Sequence, residues 1–416
     1  MKKIIPCVIG LGYVGLPIFL RLQRKYECVG YDIDNERVKN LNLKIDTNSE
    51  FNNIDLKRLN NSKLTSKKSD LKNSNFFIVT VPTPVFKNNK PNLSHLLSAA
   101  KLISKNLKKN DIIFFESTVY PGTTKKLSKI IEKLSKLKQN KDFWIGYSPE
   151  RVNPGDKSKT IEKIKKIVAF ENCPKDISKK IKNIYKTISN NLVFSKSIKE
   201  AETSKVIENI QRDINIAFMN EILMICYKLN INFHNVLSLA KTKWNFLNFN
   251  AGLVGGHCLP VDPYYLYDLA KINKFDAKFI LAGRNVNNSM VSFVQRKILD
   301  EAKKRNIKKI LLSGLTFKKN VSDIRNSLSL KIFRELKKQK KIKIEAVDPL
   351  LIKCKNLKIV NLSKIKIHNY DLIVNLVDHD ILRNFFLKHY KKNNEKFLDI
   401  FNFYGKSKKN YNFLFS

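Results

Sequence analysis

Residues 3–32 read KIIPCVIGLGYVGLPIFLRLQRKYECVGYD, and the reading of the fold starts from them. Residues 3–9 form an apolar run of the kind that makes a buried strand. Gly10, Gly12 and Gly15 follow within six residues, a helical pattern runs to about Lys25, and residues 27–32 form a second strand ending on Asp32. Only 13 of the 416 residues are glycine, so three together mark backbone that cannot carry a Cβ. Strand, glycine turn, helix, strand and terminal carboxylate make a dinucleotide-binding fingerprint. Asp32 lies twenty residues after Gly12, where a carboxylate binds a ribose 2′-hydroxyl and repels a 2′-phosphate; this favours NAD over NADP. Arg37, five residues further on, weighs the other way, because an arginine there can accept a 2′-phosphate.

The alternation continues outward. Strand-like runs recur at residues 76–81, 111–116 and 143–147, separated by helical stretches at 93–107 and 124–137, so a parallel α/β sheet is expected. Residues 199–229 contain no Gly or Pro and read as one long helix. Its stretch 214–225 is too apolar to leave exposed and suggests the core of a homodimer or higher homo-oligomer. A second α/β unit begins near residue 300, with strands expected at 309–314, 343–347, 371–377 and 396–400 and a helix at 327–338. The expected division is residues 1–190, 191–298 and 299–416.

Lys and Arg total 79 against 36 Asp and Glu, a formal net charge of +43. The basic residues are 67 Lys and 12 Arg, spread along the chain, and Asn is as abundant as 47. That bias is what an AT-rich coding sequence produces, and with no basic stripe or aromatic readers it argues against a nucleic-acid-binding protein. A positive field still favours a substrate and a cofactor that carry phosphate. No apolar run approaches the roughly 18 residues of a membrane span. The N-terminus reads as a buried strand rather than a signal peptide, since it reaches a glycine turn with no cleavage site. Six cysteines without a CxxC pair argue against a disulfide scaffold and a metal site, and point to a reducing, cytoplasmic setting.

A second glycine cluster carries reactive residue types. Gly252, Gly255 and Gly256 precede His257 and Cys258, and Asp262 lies four residues beyond the cysteine. Backbone amides after a double glycine can stabilise a thiolate or a developing oxyanion. Read alone, Cys258 is by default a buried structural thiol. His257 either tunes that thiol or simply packs. Trp144 and Trp244 are expected to anchor the core.

Six segments occur in order: residues 9–17 (IGLGYVGLP), 116–124 (ESTVYPGTT), 148–155 (SPERVNPG), 201–221 (AETSKVIENIQRDINIAFMNE), 252–266 (GLVGGHCLPVDPYYL) and 314–327 (GLTFKKNVSDIRNS). Together they resemble the UDP-glucose/GDP-mannose dehydrogenase family over about residues 3–380. Residues 243–247 (KWNFL) and the Gly-Gly-His-Cys form look most like its UDP-N-acetylhexosamine (UDP-GlcNAc or UDP-GalNAc) branch of bacterial polysaccharide synthesis. The resemblance implies a Rossmann-type NAD-binding domain, a central helical dimerisation region with the cysteine loop, and a Rossmann-like UDP-binding domain. It also implies oxidation of a sugar C6 hydroxyl to a carboxylate with two NAD and one water.

By the same resemblance, Cys258 is the nucleophile, Lys205 the oxyanion-stabilising lysine and Asp262 the carboxylate that activates water. Asn209 lies four residues from Lys205, on the same helical face. Glu150 is placed near the reacting carbon, and Thr118 beside it and the nicotinamide. Gly10, Gly12, Val14 and Gly15 fall on the pyrophosphate turn, Asp32 and Arg37 on the adenosine ribose side, Thr83 near the nicotinamide, and Arg325 reaches the cofactor from the C-terminal half. Glu150, Arg151, Lys205, Asn209, Phe249, Gly252, Gly255, Phe317 and Lys318 are expected around the UDP-sugar. One departure is Asn250-Ala251 where relatives often carry Arg-Pro; residues 46–51 (DTNSEF) also stray from the usual pattern. The alternatives are a UDP-glucose or UDP-ManNAc 6-dehydrogenase and, from another class, a single-step hydroxyacid-type dehydrogenase.

Overall fold

In the computed structural model the apolar run before the first glycines is β1 (Pro6–Ile9), and the second run is β2 (Cys28–Tyr31); every residue of both is buried. Residues 3–48, 51, 56, 62–84, 86, 91–152, 161–256, 259–351 and 357–404 are described. They fall into two units by packing: Met1–Glu208 with Tyr264–Phe275, and Asn209–Pro263 with Asp276–Ser416.

In the first unit, eight strands among the described residues form one sheet. Its order is β3 (Ser62–Thr65), β2, β1, β4 (Phe76–Val79), β5 (Asp111–Phe115), β6 (Phe143–Tyr147), β7 (Lys166–Phe170) and β8 (Leu192–Ser195). The first six are parallel, and their order reverses direction between β1 and β4, which opens a crevice outside the carboxyl ends of the strands. Side chains alternate between two cores. Ile113 and Phe115 pack with α3 (Ser94–Ser104) and α4 (Thr123–Ser135), whereas Ile112 and Phe114 pack with α1 (Gly15–Leu22) and α5 (Lys175–Ile188). Helix α5 turns Ile177, Ile181, Ile184 and Ile188 inward at helical spacing.

The sheet is not wholly parallel as expected. Strand β7 runs antiparallel to β6, with Gly146 opposite Phe170 and Tyr147 opposite Ala169. Only the β7–α5–β8 crossover returns to parallel pairing. Reversal places the first residue of β7 near the carboxyl end of β6.

In the second unit, four parallel strands among the described residues run in the order β10 (Lys343–Val347), β9 (Lys309–Ser313), β11 (Leu372–Asn375) and β12 (Phe397–Leu398). Helix α10 (Leu328–Leu336) starts from Ser327, whose hydroxyl accepts the Leu330 N–H. The long helix is α6 (Ile198–Lys228), and the division between the units falls within it. Its central face is more polar than the sequence suggests. Asp213 accepts hydrogen bonds from Arg284 and Asn287 of α9 (Lys278–Lys304), and Asn220 donates to Asn287. Phe218 and Ile225 are about half exposed. Trp144 is buried as expected, but Trp244 is 91% exposed and anchors no core.

The composition bias has a structural counterpart. Among the described non-glycine residues with positive φ, Asn110, Asn140, Asn172, Asn230, Asn306, Asn320, Asn326 and Asn402 take left-handed turn positions that glycine commonly fills.

Candidate active site

The nucleotide turn is built by close packing. Gly10 has φ +96°, and a Cβ on Gly15 would lie 1.8 Å from the Gly10 carbonyl oxygen and 2.4 Å from Thr80 Oγ1. Around Gly12 nothing lies within 4 Å of a Cβ position, so a pyrophosphate can approach that backbone. Val14 caps α1 with no side-chain hydrogen bond, so the helix N-terminus keeps N–H groups for an anion. Asp32 Oδ2 accepts the Leu11 N–H at 2.7 Å and Oδ1 the Asp34 N–H at 3.0 Å, which fixes the carboxylate at the end of β2. A cavity there is lined by Leu11, Gly12, Asp32, Arg37, Thr47 and Asn48, among others.

Arg37 is not the open phosphate acceptor its position allowed. It is buried, donates to the Leu11 carbonyl at 3.0 Å and to Thr47 Oγ1 at 3.0 Å, and its Nη1 meets Asp46 at 2.7 Å. Asp46 also accepts the N–H groups of Asn48 and Phe51. A 2′-phosphate would therefore meet Asp32 and a neutralised arginine, and the residues present fit NAD. Asp46, first of the residues that stray from the usual pattern, thus holds Arg37, a role that sequence reasoning missed.

The carboxyl ends of β4 and β5 are tied together. Thr83 Oγ1 donates to the Thr118 carbonyl at 2.6 Å, and Ser117 Oγ to the Val81 carbonyl at 2.6 Å. Tyr265 of α8 (Asp262–Ile272) donates to the Thr83 carbonyl at 2.6 Å. The two threonines expected at the nicotinamide are therefore neighbours. Glu202 of α6 accepts the Gly122 N–H at 2.5 Å and the Thr124 N–H at 2.8 Å, so it satisfies the N-terminus of α4. Burial raises its pKa against those hydrogen bonds. Glu202 thereby anchors the turn of α6 that carries Lys205; it stood inside a quoted segment, but nothing local distinguished it. Lys205 is nine-tenths buried, and among the described residues its ammonium has no partner.

Glu150 follows β6. Its Oε1 accepts the Arg151 and Val152 N–H groups at 2.7 and 2.6 Å, and its Oε2 meets Lys166 Nζ at 3.2 Å. Lys166 also donates to Glu116 at 2.7 Å, and Tyr185 donates to the other Glu116 oxygen at 2.9 Å. Burial raises the Glu116 carboxyl pKa; Lys166 pulls it back and Glu150 pushes it up further. For Lys166, burial lowers the pKa, but Glu116 and Glu150 outweigh it and the net shift is upward. Arg151, expected at the substrate, is bound to Glu208 at 2.6 Å and to the Lys165 carbonyl at 3.1 Å.

In the second unit, Asn209 donates to Asp262 at 2.5 Å, and both side chains are buried. The expected cysteine loop is held at its start by a reciprocal pair: Asn220 Nδ2 donates to the Gly252 carbonyl at 3.0 Å, and the Gly252 N–H donates to Asn220 Oδ1 at 2.8 Å. Gly255 and Gly256 lie under Phe317. A Cβ on Gly255 would come within 2.8 Å of the Asn326 carbonyl oxygen, and one on Gly256, at φ +94°, within 2.8 Å of the Phe317 ring. This joins the Gly252–Gly255 segment to the segment of Phe317 and Lys318. His257 and Cys258 lie outside the described residues. Of the remaining thiols, Cys7 and Cys173 are pushed by burial to about 12, and Cys28 and Cys226 are also raised, so none of these four is poised as a thiolate. Phe249 is partly buried against the core, and Lys241 donates to exposed Asn250 at 2.8 Å. Arg325 makes a two-pronged pair with Asp323, at 2.5 Å from its Nη2.

Three family models of the UDP-glucose/GDP-mannose dehydrogenase family match in succession: its NAD-binding domain over residues 3–189, its central domain over 199–289 and its UDP-binding domain over 311–406. The chain is 42% identical over 355 residues to a UDP-N-acetyl-D-glucosamine 6-dehydrogenase of Pseudomonas aeruginosa, covering 84% of this chain and 83% of that one. It is 39% identical over 382 residues to the enzyme of that name from Salmonella typhi, covering 89% of each. Among solved structures, a UDP-D-ManNAc dehydrogenase from Pyrococcus horikoshii superposes with a TM-score of 0.86 at 28% identity, covering 99% of this chain and 98% of the other. Among the described residues no helix is long and apolar enough to cross a membrane. With a turn that fits NAD and all three domain models in order, the chain belongs to the UDP-glucose/GDP-mannose dehydrogenase family and is an NAD-dependent dehydrogenase of nucleotide sugars.

Proposed function

We infer that this chain oxidises the C6 hydroxyl of a UDP-N-acetylhexosamine, UDP-GlcNAc or UDP-GalNAc, to the uronate, supplying precursors for surface polysaccharide in the cytoplasm. The observation that carries this reading is Lys205, buried with its ammonium unpaired among the described residues. Its ammonium is left available to meet the negative charge that develops on a bound substrate. Bound NAD+ supplies the hydride acceptor for both oxidations, two equivalents per sugar.

The chain's own residues handle oxygen, sulfur and protons. Lys205 and Asn209 hold the C6 oxygen and stabilise the negative charge that develops on it. The Cys258 thiolate adds to the aldehyde carbon, forming a C–S bond and a thiohemiacetal whose oxygen takes a proton. Loss of the second hydride and of that proton leaves a thioester. Asp262, oriented by Asn209, takes a proton from water as its oxygen attacks; the C–S bond breaks and the thiolate returns. Glu150, with Thr118 beside it, faces the reacting carbon. In sum, one alcohol, one water and two NAD+ give one carboxylate, two NADH and three protons.

Gly10, Gly12, Val14, Gly15, Asp32 and Thr83 hold the cofactor, with Arg325 reaching it from the C-terminal domain. Phe249, Gly252, Gly255, Phe317 and Lys318 bind the UDP-sugar. Residues 1–190, 191–298 and 299–416 act as cofactor, central and UDP-binding segments. The half-exposed Phe218 and Ile225 of α6 support a homodimer through that helix, and a monomer in sedimentation would count against it.

The relatives above include glucosamine and mannosamine enzymes, so the hexosamine class is the commitment and UDP-ManNAc is the second reading. The test is a panel of UDP-sugars followed by NADH absorbance and product mass. Two NADH per uronate are expected with an N-acetylhexosamine. One NADH with a stable aldehyde, or preference for UDP-glucose, overturns the reading.

A further inference from the structure

The geometry points to Glu116 and Lys166 as positioning residues that hold Glu150 as a carboxylate able to take up a proton without stranding a buried charge. This rests on the reading of Glu150 as the group beside the reacting carbon. Lys166 opens β7, and continuing the antiparallel register of Tyr147 with Ala169 by three residues sets it opposite Glu150. Its side chain is 1% exposed and has two carboxylates to itself, Glu116 at 2.7 Å and Glu150 at 3.2 Å.

Two carboxylates therefore share one cation. If Lys166 were paired with Glu150 alone, protonating Glu150 would leave an uncompensated ammonium in the interior. Without Lys166, two neighbouring buried carboxylates could not both stay ionised. The shared arrangement lies between these. Glu116 takes the shorter contact and a hydrogen bond from Tyr185, so Lys166 stays neutralised whether or not Glu150 carries a proton. Among the described residues, Arg151, next along the chain, is bound to Glu208 of α6, and Tyr185 of α5 faces Glu116. Glu150 remains the one carboxylate of the cluster that is not fully enclosed, at 9% exposed.

Two isosteric changes separate charge sharing from packing. Glu116→Gln gives the whole cation to Glu150, and the acid limb of the kcat profile should move to lower pH. Lys166→Met with Glu116→Gln removes the cation and one carboxylate together, and the limb should move to higher pH. Each shift should be about one pH unit or more, the size that an opposite charge at this distance produces. Both variants would be assayed as the full chain, with the UDP-sugar that gives most NADH in the panel above, alongside thermal unfolding. The same order should appear without turnover, in the pH dependence of the protonated-carboxyl infrared band that Glu150→Gln abolishes. An unmoved limb and band in Glu116→Gln, or shifts of the same sign in both variants, would overturn the proposal. Should the double variant fail to fold, Glu116→Gln decides alone by the same criterion. A wild-type protein that yields no NADH from any UDP-sugar would sink the functional reading, while the infrared titration would still decide this one.

Discussion

Beyond the carboxyl ends of β5 and β6 in the larger sheet, Glu116 and Glu150 share Lys166; beyond those of β9, β10 and β11 in the smaller sheet, Asp348 meets His379 and three backbone N–H groups. The second carboxylate is saturated. Its Oδ2 accepts Leu315 and Thr316 N–H at 2.7 and 3.2 Å and contacts His379 Nε2 at 3.3 Å, and its Oδ1 accepts Leu350 N–H at 3.0 Å. His379 Nδ1 accepts the Asn320 N–H at 2.8 Å, so the neutral ring carries its proton on Nε2. The segment 315–320, which includes Phe317 and Lys318, is pinned at both ends. Burial pushes Asp348 up, but the hydrogen bond from His379, with the Leu315 and Leu350 N–H groups, brings its pKa below the ordinary carboxylate value. Burial keeps Glu116 raised instead. The difference teaches that several N–H donors outweigh the cost of burying a carboxylate, whereas a single shared cation on Glu116 does not.

The comparison separates residues that react from residues that hold, and substitutions can break it. The largest effect belongs to a reacting group. Cys258→Ser should keep UDP-sugar binding and lose turnover by roughly 10³-fold or more, as when one member of a catalytic unit is removed. Binding by calorimetry and rates by NADH absorbance check this; near wild-type turnover would make the thiol a packing residue.

Next comes Asp348→Asn, a holding residue. It should cost about 2–4 kcal/mol in denaturant unfolding, because it removes a buried charge from several donors. Among molecules still folded, KM for the UDP-sugar should rise while kcat stays within a few-fold. Because the folded value is depressed, the stability from Asp348 is complete above the unfolded carboxylate value of about 3.9 and is lost as pH falls through the folded value. The gap between wild type and variant should therefore close on acidification. A kcat loss with unchanged melting would break the comparison by making Asp348 a reacting group.

A smaller effect is expected at the cofactor. Asp46→Asn releases part of Arg37 and should raise kcat/KM for NADP relative to NAD by about tenfold, a change of about 1.4 kcal/mol in selectivity. An unchanged ratio would mean that Leu11 and Thr47 hold the guanidinium by themselves. Lys241→Ala, which removes the cation beside Asn250, should raise KM for the UDP-sugar only a few-fold, about the scale of one exposed charge contact.

Read by itself, the sequence determined the features that depend on a few neighbouring residues. The glycine turn, the placement of Asp32 after β2, the Gly255-Gly256 pair and the i, i+4 spacing of Lys205 and Asn209 are local. A missing Cβ, a strand end and one helical turn are decided within about twenty residues. Tertiary structure decided what is neutralised and what is left reactive. Lys166 is one of 67 lysines, in the run KIKKIVAF, and nothing local marks it as the one that enters the interior. Its burial depends on β7 pairing antiparallel with β6, which sets it against Glu150 and against Glu116, 50 residues away in the chain. Asp46 on Arg37, Asn220 on Gly252 and Glu202 on the start of α4 are likewise side chains whose partners are chosen by packing. Trp244, expected inside, lies in solvent for the same reason: burial is a property of the assembled surface, and residue type states only a preference.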